Sequence, residues 1–92
     1  MEKIYIIVQE SNVDGEIYIG VTPCKTKKTA KELLKEEKER ILNESGHFGR
    51  KNNTEEDFEA FEVEETETKF YINDPCDDYY EDVYIVERVL RY

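Results

Sequence analysis

Hydrophobic positions along this chain fall into period-two runs at both ends and one period-3.6 run between them. From Lys3 to Glu10, Ile4, Ile6 and Val8 point one way while Tyr5 and Ile7 point the other, so this strand has apolar residues on both faces. Asn12-Val13-Asp14-Gly15 carries turn chemistry, with Gly15 free to take a positive φ. Glu16 to Thr22 then alternates again, Ile17, Ile19 and Val21 against Glu16, Tyr18 and Thr22, which completes a hairpin.

The helical run follows. Thr26 is an N-cap, with Thr29-x-x-Glu32 an alternative capping box. Ala30, Leu33, Leu34, Ile41 and Leu42 trace one stripe, Lys and Glu fill the remaining positions, and Gly46 is a C′ residue that ends the helix near Ser45. A polar loop spans 46–57, and Thr54-Glu55-Glu56-Asp57 opens a helical turn. Phe58 to Glu64 reads as a third strand with Phe61 and Val63 inward, and Glu64 to Thr66 as a turn. Thr68 to Asn73 is a fourth strand with Phe70 and Ile72 inward, stopped by Asn73-Asp74-Pro75. Asp77 to Asp82 reads as a loop or edge extension. Val83 to Leu90 is the last strand, central and beside the first because Val83, Tyr84, Ile85 and Val86 are apolar on both faces.

The fold class is therefore α+β: a single, mainly antiparallel five-stranded sheet with one helix on one face, in the order β-β-α-β-β-β. One helix cannot cover five strands. The open face is expected to present Tyr5, Tyr18, Tyr71 and Tyr84.

Composition adds the size of the unit and its sign. Ninety-two residues make a single domain, 1–92, and a 12% aromatic share supplies a core despite 39% charged residues. No run reaches the ~18 apolar residues of a membrane span, and Met1-Glu2-Lys3-Ile4-Tyr5 lacks the organisation of a signal peptide. A soluble, cytoplasmic protein is the expectation. Cys24 and Cys76 fit that compartment as free thiols, a disulfide between them being the alternative.

The net charge of −10 is unevenly placed. Residues 55–82 hold thirteen Asp and Glu against Lys69 alone, a net of −12, while the segments on either side each come to +1. Such a field repels nucleic acid and anionic membranes and attracts basic surfaces.

Catalytic chemistry has little to work with. His47 is the lone histidine, and no spacing joins it to Cys24 or Cys76 as a nucleophile–base pair. Phosphate-binding glycine loops and the nucleophile elbow are absent, and the acidic stretch 74–82 lacks the alternating ligands, Gly and closing Glu of a calcium loop. No enzymatic activity, cofactor or metal is expected.

Lys3 through Ser45, with Gly15-Glu16-Ile17-Tyr18-Ile19 followed by Thr26-Lys27-Lys28-Thr29-Ala30-Lys31-Glu32, resembles small proteins of phages and their bacterial hosts. The acidic, tyrosine-rich second half is similar in character to phage inhibitors of host defence nucleases, of the anti-CRISPR type. The resemblance implies a binding protein whose partner is a basic surface of a nucleic-acid-binding enzyme.

The residues expected to meet that partner are Glu62, Glu64, Glu65, Glu67, Asp77, Asp78, Glu81 and Asp82, with Tyr71, Tyr79 and Tyr80 as anchors. Carboxylates at alternate strand positions, ~6.6–6.8 Å apart, imitate a row of phosphates at coarse resolution. An acidic surface serving solubility alone is the bland alternative. An antitoxin-like or structural protein, burying its open sheet face in a homodimer or cognate complex, is another. A small enzyme or ligand-binding protein is the third.

Overall fold

The computed structural model describes residues 2–89. Its elements are β1 (Lys3–Val13), β2 (Glu16–Cys24), α1 (Lys27–Glu44), a 3-10 turn (Arg50–Asn52), α2 (Glu55–Ala60), β3 (Glu62–Thr66), β4 (Lys69–Asp74) and β5 (Tyr79–Val89). The five strands form one antiparallel sheet in the order β2-β1-β5-β4-β3. The expected α+β fold class, element order and central last strand are all present. Leu90, the expected end of that strand, lies outside the described residues. Among the described residues no helix is long and apolar enough to cross a membrane.

Local chemistry accounts for the hairpin and the helix. Asp14 and Gly15 have φ of 54° and 82°, the positive values that a two-residue type I′ turn requires at both positions. Strands joined so tightly stay paired up to the turn, which is why β1 runs to Val13 rather than stopping at Glu10. Thr26 caps α1, its Oγ1 accepting the Thr29 N–H at 3.1 Å. The helix buries Ala30, Leu34 and Ile41. Lys38, between Leu34 and Ile41 on that stripe, places its ammonium 5.7 Å from the Phe70 ring centre.

α1 lies mainly over β5 and β1 and closes a core of Ile7, Cys24, Ala30, Leu34, Ile41, Phe48, Phe70, Ile72 and Val83. Phe48 belongs to the loop that the hydrophobic pattern treats as polar, yet it is 1% exposed. Its position is set by side-chain bonds to loop backbone. Ser45 Oγ accepts the Phe48 N–H at 3.1 Å, and Asn53 Nδ2 donates to the carbonyls of His47 and Gly49 at 2.8 and 2.9 Å. A Cβ on Gly49 would stand 2.3 Å from the Ser45 carbonyl oxygen, so this is the glycine the helix exit needs. Gly46, expected as the left-handed C′ residue, has no positive φ; Ser45 caps the helix in an extended conformation.

Four boundary readings change. Phe58 is helical, because Thr54 and Asp57 form a reciprocal capping box that, with acids in the first turn, starts α2. Phe61 caps that helix and packs on Phe48 and Phe58 instead of lying within a strand. Val63 does occupy the helix side of the sheet, opposite Ile72, but stays 53% exposed because α1 does not reach over edge strand β3. Residues 64–66 are strand, and the turn falls at Glu67 and Thr68. Tyr79 to Asp82 are part of central strand β5, since β1 and β4 flank Tyr80 to Asp82 on both edges and their backbone bonds override the polar pattern.

Candidate partner-binding face

Which carboxylates are available is decided by the pleat. Ile7 faces the helix, so its register partners Thr22 and Ile85 face it too, and every second residue of each strand turns to the open side. Followed across the sheet, this puts Tyr5 and Tyr18 on the helix side, contrary to expectation, and Tyr71, Tyr80 and Tyr84 on the open side. Ile17, Ile19 and Val21 go to the open side as well, at 59, 69 and 66% exposure.

The expected site is split by the same rule. Glu62, Glu64, Tyr71, Tyr80 and Asp82 share the open face. Glu65 lies on the helix side, where Lys38 Nζ donates to both its carboxylate oxygens at 2.6 and 2.9 Å, and Glu67, in the turn, pairs with Lys31 at 3.4 Å. Glu81 also turns to the helix side and is half-buried; burial pushes its carboxyl up, against the pull of Arg40. Tyr79 stacks on His47 with ring centres 3.9 Å apart, and its hydroxyl donates to Asp14 at 2.6 Å. Asp77 and Asp78 sit in the β4–β5 turn at the rim.

What the fold assembles on the open face is a row across four strands: Glu10, Asp82, Tyr71 and Glu64, each the register partner of the next. The adjacent row toward the β4–β5 turn holds Asn12, Tyr80, Asn73 and Glu62. Glu10 was not among the expected residues. It lies 72 positions from Asp82 in sequence, and only the β1–β5 pairing brings them together. Lys69 is the basic group of this corner, 3.8 Å from Glu64 and 5.5 Å from the Tyr71 ring centre.

The corner is under electrostatic load. Burial raises the Asp82 carboxyl above the usual range, and the charges of Glu10 and Glu64 add to it against the pull of Lys69. Burial likewise raises the Tyr71 and Tyr80 hydroxyls, helped by Glu62 and Asp82 at Tyr71 and by Glu10 at Tyr80. Asp82 Oδ1 and Asn12 Oδ1 are both shielded and have no hydrogen-bond partner. Unsatisfied acceptors of this kind cost roughly 1–3 kcal/mol each. A cationic group arriving from outside would relieve the crowded charge.

A second cluster forms on the helix side. His47 Nε2 lies 2.8 Å from Asp74 Oδ2, and Asp77 joins them to give three potential metal-ligating groups within 4.8 Å. Asp74 already has local work: its Oδ1 accepts the Cys76 N–H at 3.0 Å and its Oδ2 holds the imidazole. Burial opposes its ionisation, but the Cys76 N–H and His47 outweigh that and draw the carboxyl below the usual range. With His47 packed between Tyr79 and Phe48, the group ties the helix exit to the β4–β5 turn. His47 is thus mostly buried, its side chain 24% exposed. Cys24 is buried, Cys76 is exposed, and both thiols are free.

Comparison with known protein families, with curated proteins and with solved structures finds no match.

Proposed function

We propose that this is a non-catalytic binding protein that docks the acidic corner of its open sheet face onto a Lys/Arg-rich surface of another protein. The observation that carries the reading is the cross-strand row Glu10–Asp82–Tyr71–Glu64, three carboxylates and a tyrosine brought side by side on the open face. Neighbouring strands are ~4.8 Å apart and alternate residues ~6.8 Å apart, so the corner is a two-dimensional grid of negative charge interleaved with tyrosine rings. Tyrosine anchors protein interfaces, and its ring accepts a cation over its face. Surfaces with the complementary chemistry are those that grip phosphate backbones. The function we infer is accordingly inhibition of a nucleic-acid-binding enzyme by occupying that surface, with a phage-encoded inhibitor of a host defence nuclease as its specific form.

The experiment is capture from host lysate followed by calorimetric titration of the captured protein at two salt concentrations, with a nucleic-acid competition assay. Binding should weaken steeply with salt, since exposed charges are screened beyond ~8 Å at physiological ionic strength. Nucleic acid should compete for the same surface. A captured protein that binds equally at both salts and holds its nucleic acid undisturbed would sink the proposal.

A further inference from the structure

His47, Asp74 and Asp77 come together because the β4–β5 turn folds back against the helix exit. Asp74 ends β4, and the turn after it is closed by the Tyr79 N–H, which donates to the Asp77 carbonyl at 2.8 Å. His47 follows α1 and stands 27 positions from Asp74 in sequence. The side chains of His47 and Asp74 are 24% and 13% exposed, and Asp77 lies exposed at the rim. Among the described residues no lysine or arginine pairs with Asp74 or Asp77. Two carboxylates thus share one imidazole, in a chain whose net charge of −10 already attracts cations.

We infer that these three side chains form a binding site for a divalent transition-metal ion, zinc by chemical preference, which clamps the helix exit to the β4–β5 turn. The donor set selects the ion. A neutral imidazole and two carboxylates together carry a charge that a divalent cation cancels. Calcium and magnesium take oxygen shells, whereas an imidazole nitrogen suits zinc and its neighbours in the first transition row. Composition argues against sites built from several histidines or cysteines, and a mixed site of one histidine and two acids escapes that argument.

The geometry is close to what zinc requires. Zn–N and Zn–O bonds of about 2.0–2.2 Å in a tetrahedron set ligand atoms roughly 3.3–3.6 Å apart. His47 Nε2 and Asp74 Oδ2 are 2.8 Å apart, and the three ligand atoms all lie within 4.8 Å of one another. The first pair has to open by about half an ångström, and the exposed Asp77 has to swing in. Two of the ligands are already oriented. The His47 ring stacks on Tyr79 with centres 3.9 Å apart and meets Phe48 edge-on. Asp74 Oδ1 accepts the Cys76 N–H at 3.0 Å, which turns Oδ2 toward the imidazole. Hydrogen bonds of this kind fix ligand direction in metal sites. The site lies on the helix side of the sheet and does not depend on what the acidic corner binds.

Calorimetric titration of the metal-free full chain with zinc chloride at neutral pH tests this, with calcium and magnesium chloride as controls. The expected result is one zinc per chain, a melting temperature that rises with zinc and falls back with a chelator, and no comparable effect of the other two ions. Asp77→Asn and His47→Gln should each weaken zinc binding at least about tenfold, while Cys76→Ser leaves it unchanged. Asp77 lies in an exposed turn, so its variant tests the site even where His47→Gln disturbs the fold. An independent measurement needs no variant. Histidine is single in this chain, so its ring nitrogens give an unambiguous NMR reading, and Nε2 should shift on addition of one equivalent of zinc. Absence of zinc binding, uptake of several equivalents with the imidazole signals unmoved, or an equal response to calcium would overturn the proposal. So would full affinity in Asp77→Asn, or loss of binding in Cys76→Ser.

Discussion

The two sides of this sheet carry the same kinds of residue in opposite states. On the side of α1, carboxylates are matched: Glu65 with Lys38, Glu67 with Lys31, Glu37 with Arg40 and Glu39 with Arg50. Two aromatic rings there are locked, Phe48 in the core and Tyr79 against His47. On the open side Glu64 and Asp82 have Lys69 as their neighbouring cation, Glu10 and Glu62 stand in the same two rows, tyrosines stand half-exposed, and Ile17, Ile19 and Val21 face outward. The contrast teaches that net charge does not locate a site. Of the thirteen acids in 55–82, Glu65 and Glu67 join ordinary surface pairs, each contributing at most about 1 kcal/mol, while Glu62, Glu64 and Asp82 join the open-face grid, and it is the pleat that puts Glu64 and Glu65 on opposite sides.

The largest expected effect tests whether the helix side holds the stability. Phe48→Ala should cost about 3–5 kcal/mol, as deletion of a fully buried aromatic ring does, read as a lowered urea midpoint. Ile19→Ser on the open side should cost no more than about 0.5 kcal/mol by the same measurement. Comparable losses from the two would erase the distinction between the faces.

Gly49→Ala comes next. Its Cβ would meet the Ser45 carbonyl oxygen at 2.3 Å, so the loop must shift and release Phe48; about 1–3 kcal/mol is expected, as for an overpacked core. Gly46→Ala, with nothing within 4 Å of its Cβ, should be close to neutral by the same measurement.

Binding should separate the faces in the other direction. Glu10→Lys with Glu64→Lys should weaken the partner complex by ten-fold or more, mainly by slowing association. Glu65→Lys with Glu67→Lys makes the same change in net charge on the paired side and should cost under three-fold in calorimetric titration. Equal losses would mean that bulk charge, not the grid, attracts the partner.

The smallest effects are pH-dependent and of opposite sign. Asp82 has a raised pKa in the folded chain, so its charged form disfavours folding above that value and the penalty vanishes below the unfolded value of about 3.9. Asp82→Asn should therefore raise the melting temperature at neutral pH and make no difference near pH 3. Asp74 has a lowered pKa, so its carboxylate favours folding above the unfolded value and that contribution disappears as pH falls through the folded one. Asp74→Asn should lower the melting temperature at neutral pH, with the gap closing in acid. Thermal melts across pH 2.5–7 distinguish the two, and a common sign for both variants would contradict the assignment of one carboxylate to each face.

Much of the fold is legible in the residues themselves. Period-two runs such as Lys69–Asp74 and the period-3.6 stripe of Ala30, Leu34 and Ile41 specify strand and helix because side-chain direction repeats with backbone geometry. Asp14-Gly15 sets the first hairpin, and Thr26 starts α1, through bonds and torsions spanning three residues or fewer. The acidic character of 55–82 and the tyrosines within it are equally plain in the sequence. What tertiary structure alone decided was which side of the sheet each residue joins. Lys3–Glu10 is apolar on both faces, so its pattern names no preferred side. The choice came when α1 settled on Ile7, Val83, Phe70 and Ile72, which puts Ile19 and Val21 on the open side and Tyr5 and Tyr18 on the helix side. Glu10 entered the acidic corner, and Glu65 and Glu81 left it, for the same reason: strand register is a contact between distant segments, and no local pattern contains it.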